Sequence, residues 1–178
     1  MNREDSVFAR VYDEHVWRVY GFMAYRVRDH DLAEDLTQAT FERALRAWSR
    51  FDARKASQAT WLLSIANNLL IDHHRRRRVH EELGDERLLG TVPGPEERFE
   101  SSPELTEALA QLGDREREVL ALRFGGDLTG REIADVLGLS VANVQQILSR
   151  SMRRLREMVE DSELGMARRS AAEAREER

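Results

Sequence analysis

Apolar residues in this chain recur at intervals of three and four residues, and nowhere do they alternate with polar residues as in a strand. The clearest case is the stretch 61–78, WLLSIANNLLIDHHRRRR. The apolar positions that share one helical face there are Trp61, Leu62, Ile65, Leu69 and Leu70. Because such a face must bury against neighbouring helices, the sequence predicts an all-α fold.

The same predicted helix becomes basic at its C-terminal end. Arg75 to Arg78 are four consecutive arginines, the only charge block of this kind in the chain. A helix that is rooted in a core at one end and cationic at the other suits a phosphate-bearing partner, which indicates nucleic-acid binding. The alternative is an ordinary solvated helix end, where arginines interact favourably with the helix dipole.

The net charge of −5 is unevenly distributed along the 178 residues. Residues 1–80 hold 14 Arg and Lys against 11 Asp and Glu, whereas residues 81–112 hold 2 against 9. All three prolines, Pro93, Pro95 and Pro103, lie in or beside this acidic stretch. The sequence therefore predicts a helical domain at 1–80, a flexible acidic linker at 81–103, a second helical domain at 104–160, and a tail at 161–178 that is a helical extension or disordered. An ordered acidic loop docked on a basic surface is the alternative for the linker.

Several function classes lack their sequence signals. No apolar run approaches the ~20 residues that span a bilayer, and Met1–Arg10 lacks the layout of a signal peptide. With no cysteine, disulfides and cysteine-bound zinc are excluded. His73, His74 and His80 do not form the i,i+4 pair of a metalloprotease helix, and no Gly-rich phosphate loop or nucleophile elbow occurs. We expect a cytoplasmic protein that is not an enzyme and has no metal or cofactor.

Apolar spacing and capping signals place seven helices. The predicted helices are Ser6–Val27, Ala33–Trp48 with a capping box at Asp31 and Glu34, Trp61–Arg78, Glu104–Leu112, Asp114–Phe124, Arg131–Leu137 and Val141–Glu160.

The segment Gly130–Ser149 has the spacing of a helix-turn-helix. Ala134 is the small residue where two helices cross, Gly138 allows the sharp turn, and Val144 anchors the second helix. Thr129 with Glu132 and then Ser140 supply caps at the matching boundaries. A plain α-hairpin is the alternative interpretation.

The second helix of this motif has a polar outer face. At 100° per residue the outward positions are Ala142, Asn143, Gln145, Gln146, Ser149, Arg150 and Arg153. Amides suit adenine, and arginine suits guanine or phosphate, so this face can read DNA, although it is only weakly basic.

Together the two halves resemble the extracytoplasmic-function (ECF) group of bacterial sigma factors, the two-domain promoter-recognition subunits of RNA polymerase. AEDLTQATF followed by WLLSIANNLLIDHHRRR is similar to that family's region-2 domain, and the stretch Leu112–Val144 is similar to its region-4 domain. The resemblance covers about residues 6–160. It implies a protein that binds core polymerase, directs it to −35 and −10 promoter elements and assists promoter melting.

The resemblance also implies three sets of contact residues. The polymerase set is Glu34, Asp35, Gln38 and Phe41, although Phe41 could equally be core and the acids a cap. The −10 set is Asn67, Asn68, Asp72, Arg75, Arg76, Arg77 and Arg78, with the loop Phe51–Ala59 corresponding to the family's flipped-base loop. The −35 set is Ser140, Ala142, Asn143, Gln145, Gln146, Ser149, Arg150 and Arg153.

The chain departs from the family pattern at four positions. Gly113 stands where proline is common, and Gln145, Ile147 and Met152 stand where basic residues are common. The loss of the three cations makes the −35 contact less electrostatic. Besides polymerase and promoter DNA, an anti-sigma protein is a partner that the resemblance leaves open. The rival function is a helix-turn-helix regulator that binds an operator without polymerase.

Overall fold

The computed structural model describes residues 3–27, 29–82 and 103–176, with side chains over 6–27, 29–77 and 103–162. Within these ranges every element is helical, which confirms the all-α prediction. The helices are α1 Arg3–Val27, α2 His30–Ala47, α3 Gln58–Glu82, α4 Pro103–Ala110, α5 Asp114–Leu120, α6 Gly130–Leu137 and α7 Val141–Glu176. A 3₁₀ turn, Trp48–Arg50, follows α2, and a π-helical turn, Ala121–Gly125, follows α5. The predicted linker falls mostly on residues 83–102, outside the described residues.

The predicted capping box at the start of α2 is wrong. Asp29 is the N-cap, and its carboxylate accepts a hydrogen bond from the backbone N–H of Leu32 at 3.0 Å. Asp29 has extended backbone angles, which is the conformation an N-cap requires. Asp31 therefore lies inside the first turn, and Glu34 instead lies 3.4 Å from the Nδ1 of His30.

The caps of the helix-turn-helix are as predicted. Thr129 Oγ1 accepts from the N–H of Glu132, and the Glu132 carboxylate accepts from the N–H of Thr129 at 2.9 Å. Gly138 ends α6 with a left-handed φ of 64°. Ser140 Oγ then accepts from the N–H of Asn143 at 3.2 Å and starts α7.

The core is shared between the two halves of the chain. Its N-terminal part includes Val19, Phe22, Met23, Leu62, Leu63 and Leu70, all fully buried. The same cluster continues through Val119, Leu122, Leu128, Ile133 and Val144 of the C-terminal half. A second, smaller cluster joins α4, α5 and α7 through Ala108, Leu112, Leu120 and Leu155. The two helical units predicted from the sequence are thus packed against each other, which the sequence analysis did not anticipate.

Two glycines make the closest approach between the halves. A Cβ added to Gly21 on α1 would lie 2.7 Å from the carbonyl oxygen of Gly125, and one added to Gly125 would lie 2.6 Å from the carbonyl oxygen of Gly21. Gly126 is equally confined, because its Cβ would lie 2.8 Å from Leu63 Cδ1. The backbone of α1 therefore rests directly on the π-helical turn, and any side chain at Gly21 or Gly125 would separate them.

In the part of the chain that the structure describes, no helix is both long and apolar enough to cross a membrane.

Alanine substitution should change the free energy of unfolding differently at the two glycines that lie at the ends of α6. Gly138→Ala puts a Cβ on a left-handed residue and should cost about 1–2 kcal/mol of unfolding free energy. Gly130→Ala, the control, meets nothing within 4 Å at the start of α6 and should be neutral or stabilise by about 0.5 kcal/mol. Urea unfolding measures both. Equal urea midpoints of unfolding for the two variants would contradict the left-handed conformation of Gly138.

Candidate nucleic-acid interface

The exposed face of α3 brings together three of the predicted −10 residues. Asn68 and Arg75 are exposed, and Asp72 is partly exposed beside them. Arg75 Nη2 donates to Asp72 Oδ1 at 3.3 Å, so the carboxylate holds the guanidinium along the helix. Arg76 and Arg77 are also exposed, and the side chain of Arg78 lies outside the described residues. This face offers an amide, a carboxylate and a cation within about two helical turns.

Asn67 does not belong to that face. Its side chain is buried, with 6% of its surface exposed, and its Oδ1 accepts no hydrogen bond from the described residues. Neighbouring helical positions diverge by about 100°, so Asn68 points to solvent while Asn67 points inward. The DNA contact of Asn67 stays a prediction, and in this structure its side chain is not accessible to a partner.

Two partly buried histidines, His73 and His74, precede the arginine block on α3. Burial lowers the pKa of His74, and the nearby Arg26 cation lowers it further, followed by smaller effects of His73 and Arg77 that the Asp114 carboxylate partly offsets. The pKa of His73 is lowered by burial and then by Arg77 and Arg76. Both rings are therefore held in the neutral form, which adds no charge beside the arginines.

An aromatic cluster borders the loop Phe51–Ala59. The rings of Trp48 and Phe51 stack with centroids 5.2 Å apart and an interplanar angle of 12°, and Trp61 lies 5.1 Å from Phe51. All three rings are partly exposed. The cluster was not predicted from the sequence, although three aromatics at 48, 51 and 61, on either side of a short loop, indicate it.

The loop itself is ordered by an internal ion pair. Asp52 Oδ1 accepts from the backbone N–H and the Nε of Arg54, and Oδ2 accepts from its Nη2, each at 3.0 Å. The side-chain and backbone hydrogen bonds from Arg54 hold the pKa of Asp52 below its usual value.

The outer face of α2 carries the predicted polymerase residues, with one exception. Glu34, Asp35 and Gln38 are exposed, and Gln38 donates to Glu42 at 3.1 Å. Phe41 is only 4% exposed, and its ring packs edge-on against Tyr12 at 4.7 Å. Phe41 therefore supports α2 from the core and offers almost no contact surface here, and its direct contact with polymerase stays a prediction.

The outer face of α7 is available to solvent. The exposed residues are Ser140, Ala142, Asn143, Gln145, Gln146, Ser149, Arg150 and Arg153. Arg153 Nε lies 3.8 Å from Glu157, which partly neutralises it. Ile147 is half-buried against the shared core, which accounts for an apolar residue at a position that is commonly basic. Gly113 donates its N–H to Glu116 at 2.8 Å, a bond that the proline common at this position could not make.

Among the described residues, no group of three or more His, Cys, Asp or Glu side chains is arranged to hold a metal ion.

Comparison with known families matches both halves of the chain. Residues 11–79 match the family model of sigma-70 region 2, and residues 108–157 match that of sigma-70 region 4. The chain is 31% identical to the ECF RNA polymerase sigma factor SigM of Bacillus subtilis over 151 residues, covering 82% of this chain and 91% of SigM. It is also 31% identical to the ECF sigma factor BldN of Streptomyces coelicolor over 169 residues, covering 89% of this chain but only 62% of BldN.

The fold is also found in a solved structure. The sigma factor RpoE of Bartonella quintana, solved in complex with the anti-sigma factor NepR, superposes with a TM-score of 0.74. The superposition covers 86% of this chain and 96% of that chain at 22% sequence identity.

The lowered pKa values of His73 and His74 predict a pH dependence of stability. In the unfolded chain these groups bind protons near their ordinary pKa of 6.5, whereas the folded chain resists protonation. Stability is therefore greatest above pH 6.5 and should fall as the pH drops below it. Urea unfolding at pH 7.5 and 5.5 should show this loss in the wild type and a smaller loss in the His73→Gln, His74→Gln double variant. An equal loss of stability in both proteins would contradict this role of the two histidines.

Proposed function

The chain belongs to the ECF group of the sigma-70 family of RNA polymerase sigma factors, and we propose that its three exposed surfaces divide promoter recognition between them. A sigma factor binds core RNA polymerase, directs it to promoters and assists promoter melting. The observation that carries this function is the presence of both family regions, in order, in one chain. The rival, a regulator that acts without polymerase, does not account for the region-2 match over residues 11–79.

The proposed polymerase contact is the outer face of α2. Glu34, Asp35 and Gln38 are exposed on it, and acidic and amide side chains suit a basic or polar helical partner. Phe41 takes a supporting role in this proposal because its ring is packed under the face. Charge complementarity on such a face chiefly sets the association rate and the choice of partner.

The proposed −10 contact combines α3 with the aromatic cluster. Asn68, Asp72 and Arg75 would contact the bases, and Arg76 to Arg78 would contact the phosphates. The partly exposed rings of Phe51 and Trp61 would stack against an unstacked base, an interaction that contributes about 1–3 kcal/mol per base in single-strand binding. The Asp52–Arg54 pair would hold the neighbouring loop in the conformation that this stacking requires.

The proposed −35 contact is the outer face of α7, inserted into the major groove. Asn143, Gln145 and Gln146 can read base edges, and Arg150 can contact guanine or phosphate. Non-specific affinity for DNA comes from cations that neutralise phosphates, and this face has few cations. Most of the non-specific affinity must therefore come from polymerase.

The remaining proposals concern organisation and partners. We propose the boundaries 1–80, 81–103, 104–160 and 161–178 for the region-2 domain, the linker, the region-4 domain and the tail. The factor acts in the cytoplasm, where it meets polymerase. An anti-sigma protein is a further proposed partner, since RpoE of Bartonella quintana was solved with one.

Run-off transcription tests the function. The purified chain with core polymerase should yield transcripts from promoters mapped after overexpression, and core polymerase alone should not. Asp35→Arg, which reverses an exposed charge on α2, should weaken core binding about tenfold. Asp135→Arg is the matched control, because Asp135 is an exposed carboxylate on α6 outside every proposed contact. Tight binding to duplex DNA without any binding to core polymerase would contradict the function.

Promoter melting should depend on the exposed face of α3. Asn68→Ala or Arg75→Ala should lower open-complex formation by about tenfold, because each removes one base contact of about 1–3 kcal/mol. Core binding should be unchanged. Arg10→Ala, the control, removes an exposed arginine from α1, outside every proposed contact, and should leave melting at the wild-type level. Permanganate footprinting measures the melted region, and equal footprints for Arg75→Ala and Arg10→Ala would refute the assignment.

A further inference from the structure

The exposed face of α3 carries a large apolar side chain among its polar groups. Ile71 is 51% exposed, three residues after Asn68 and four before Arg75. In the part of α3 whose side chains are described, the other large apolar residues are buried or half-buried. At 100° per residue, Asn68, Ile71, Asp72 and Arg75 lie within an arc of about 100°. The isoleucine therefore belongs to the same surface as the proposed −10 residues.

The ion pair on this face leaves Ile71 uncovered. A long arginine side chain often covers apolar surface on its own helix with its methylene groups. Here Arg75 Nη2 donates to Asp72 Oδ1 at 3.3 Å, and Asp72 lies on the side of Arg75 that faces away from Ile71. The guanidinium is held beside the isoleucine without lying over it. A DNA strand that contacts Asn68 and Arg75 must therefore also meet an uncovered aliphatic side chain.

An aliphatic side chain on a DNA-binding face is stabilised only by an apolar counterpart. Burial against a phosphate or a polar base edge removes water from polar atoms without forming a hydrogen bond, which is unfavourable. Thymine presents an apolar group on its edge, the 5-methyl group, and apolar side chains contact it in protein–DNA complexes. Isoleucine is β-branched and has essentially one χ1 rotamer in a helix, so its side chain loses little freedom on contact.

We propose that Ile71 packs against the 5-methyl group of a thymine in the −10 element and thereby selects thymine at that position. The contact rests on the −10 role proposed above for α3, and it adds a residue and a base to that role. Asn68 and Asp72 distinguish bases through hydrogen bonds, whereas Ile71 distinguishes thymine from cytosine through the methyl group that cytosine lacks.

Replacing thymine by uracil tests this contact, because uracil lacks the methyl group and keeps the hydrogen-bonding atoms of the base. Each thymine of the −10 element, on either strand, is replaced in turn in a promoter mapped after overexpression. Run-off transcription with core polymerase then measures each promoter. The wild-type chain should lose about fourfold at one uracil, which is the effect expected from burying one methyl group.

The variant Ile71→Ala shows whether that methyl group meets the isoleucine. It should lower transcription from the thymine promoter by about fourfold or more, since it removes the whole aliphatic contact. It should lose nothing further at the sensitive uracil, because two changes that remove the same contact are not additive. Ile71→Gln, the second variant, keeps the length of the side chain but not its apolar character, and should be insensitive to the same uracil.

Two controls separate this contact from a general loss of function. Ile71→Val keeps a β-branched aliphatic side chain and should retain the loss at the sensitive uracil. Val141→Ala removes an exposed aliphatic side chain from α7, away from the face of α3, and should also retain it. Because Ile71 is exposed, Ile71→Ala should keep the wild-type circular dichroism spectrum and bind core polymerase as the wild type does.

The outcomes distinguish the contact from the function on which it rests. A −10 element with no uracil-sensitive thymine would overturn the contact, and so would equal losses at the same uracil in the wild type, Ile71→Ala and Ile71→Gln. Wild-type transcription in either case would leave the proposed function intact. No transcript from the wild-type chain with core polymerase would contradict the function and the contact together.

Discussion

The backbone crossing of Gly21 and Gly125 is the constraint on which the arrangement of the two halves depends. Only where both residues lack a Cβ can α1 rest on the π-helical turn, and that approach brings Gly126 under Leu63 and Asp127 within 3.1 Å of Arg18. The shared core, from Phe22 to Ile133, is filled around this crossing.

Helix α3 consequently has two polar faces with different surroundings. The outer face carries Asn68 and Arg75 in solvent, whereas the inner face carries Thr60 and Asn67 against the rest of the protein. Thr60 is satisfied by Glu132, but the Oδ1 of Asn67 finds no donor among the described residues. A carbonyl oxygen buried without a donor costs about 1–3 kcal/mol, a large fraction of the stability of a small fold.

Local spacing and capping residues predicted the seven helices, the helix-turn-helix caps and the outward face of α7. The family resemblance, and not the periodicity, grouped Asn67 with Asn68 and Phe41 with the exposed acids, and the structure buries both Asn67 and Phe41. A helical wheel places Asn67 apart from Asn68, since Asn67 lies in line with Leu63 and Leu70. Local pattern could not predict the shared core, because its two parts lie on either side of an acidic stretch of sequence. Its one local signal was Gly21, a glycine inside a long helix, which usually has a packing reason.

Electrostatics explains why the proposed promoter recognition depends on a large partner. The outer face of α7 is weakly basic, and Arg153 is partly neutralised by Glu157, so this face gains little from phosphate contacts. The proposed base contacts on α3 and α7 would then act only after polymerase has supplied the non-specific affinity. A more basic α7 would let the free chain bind DNA anywhere and would uncouple recognition from polymerase. Ile147 packs against the shared core at a position where a cation is common, so this position contributes to packing and supplies no charge to the proposed −35 face.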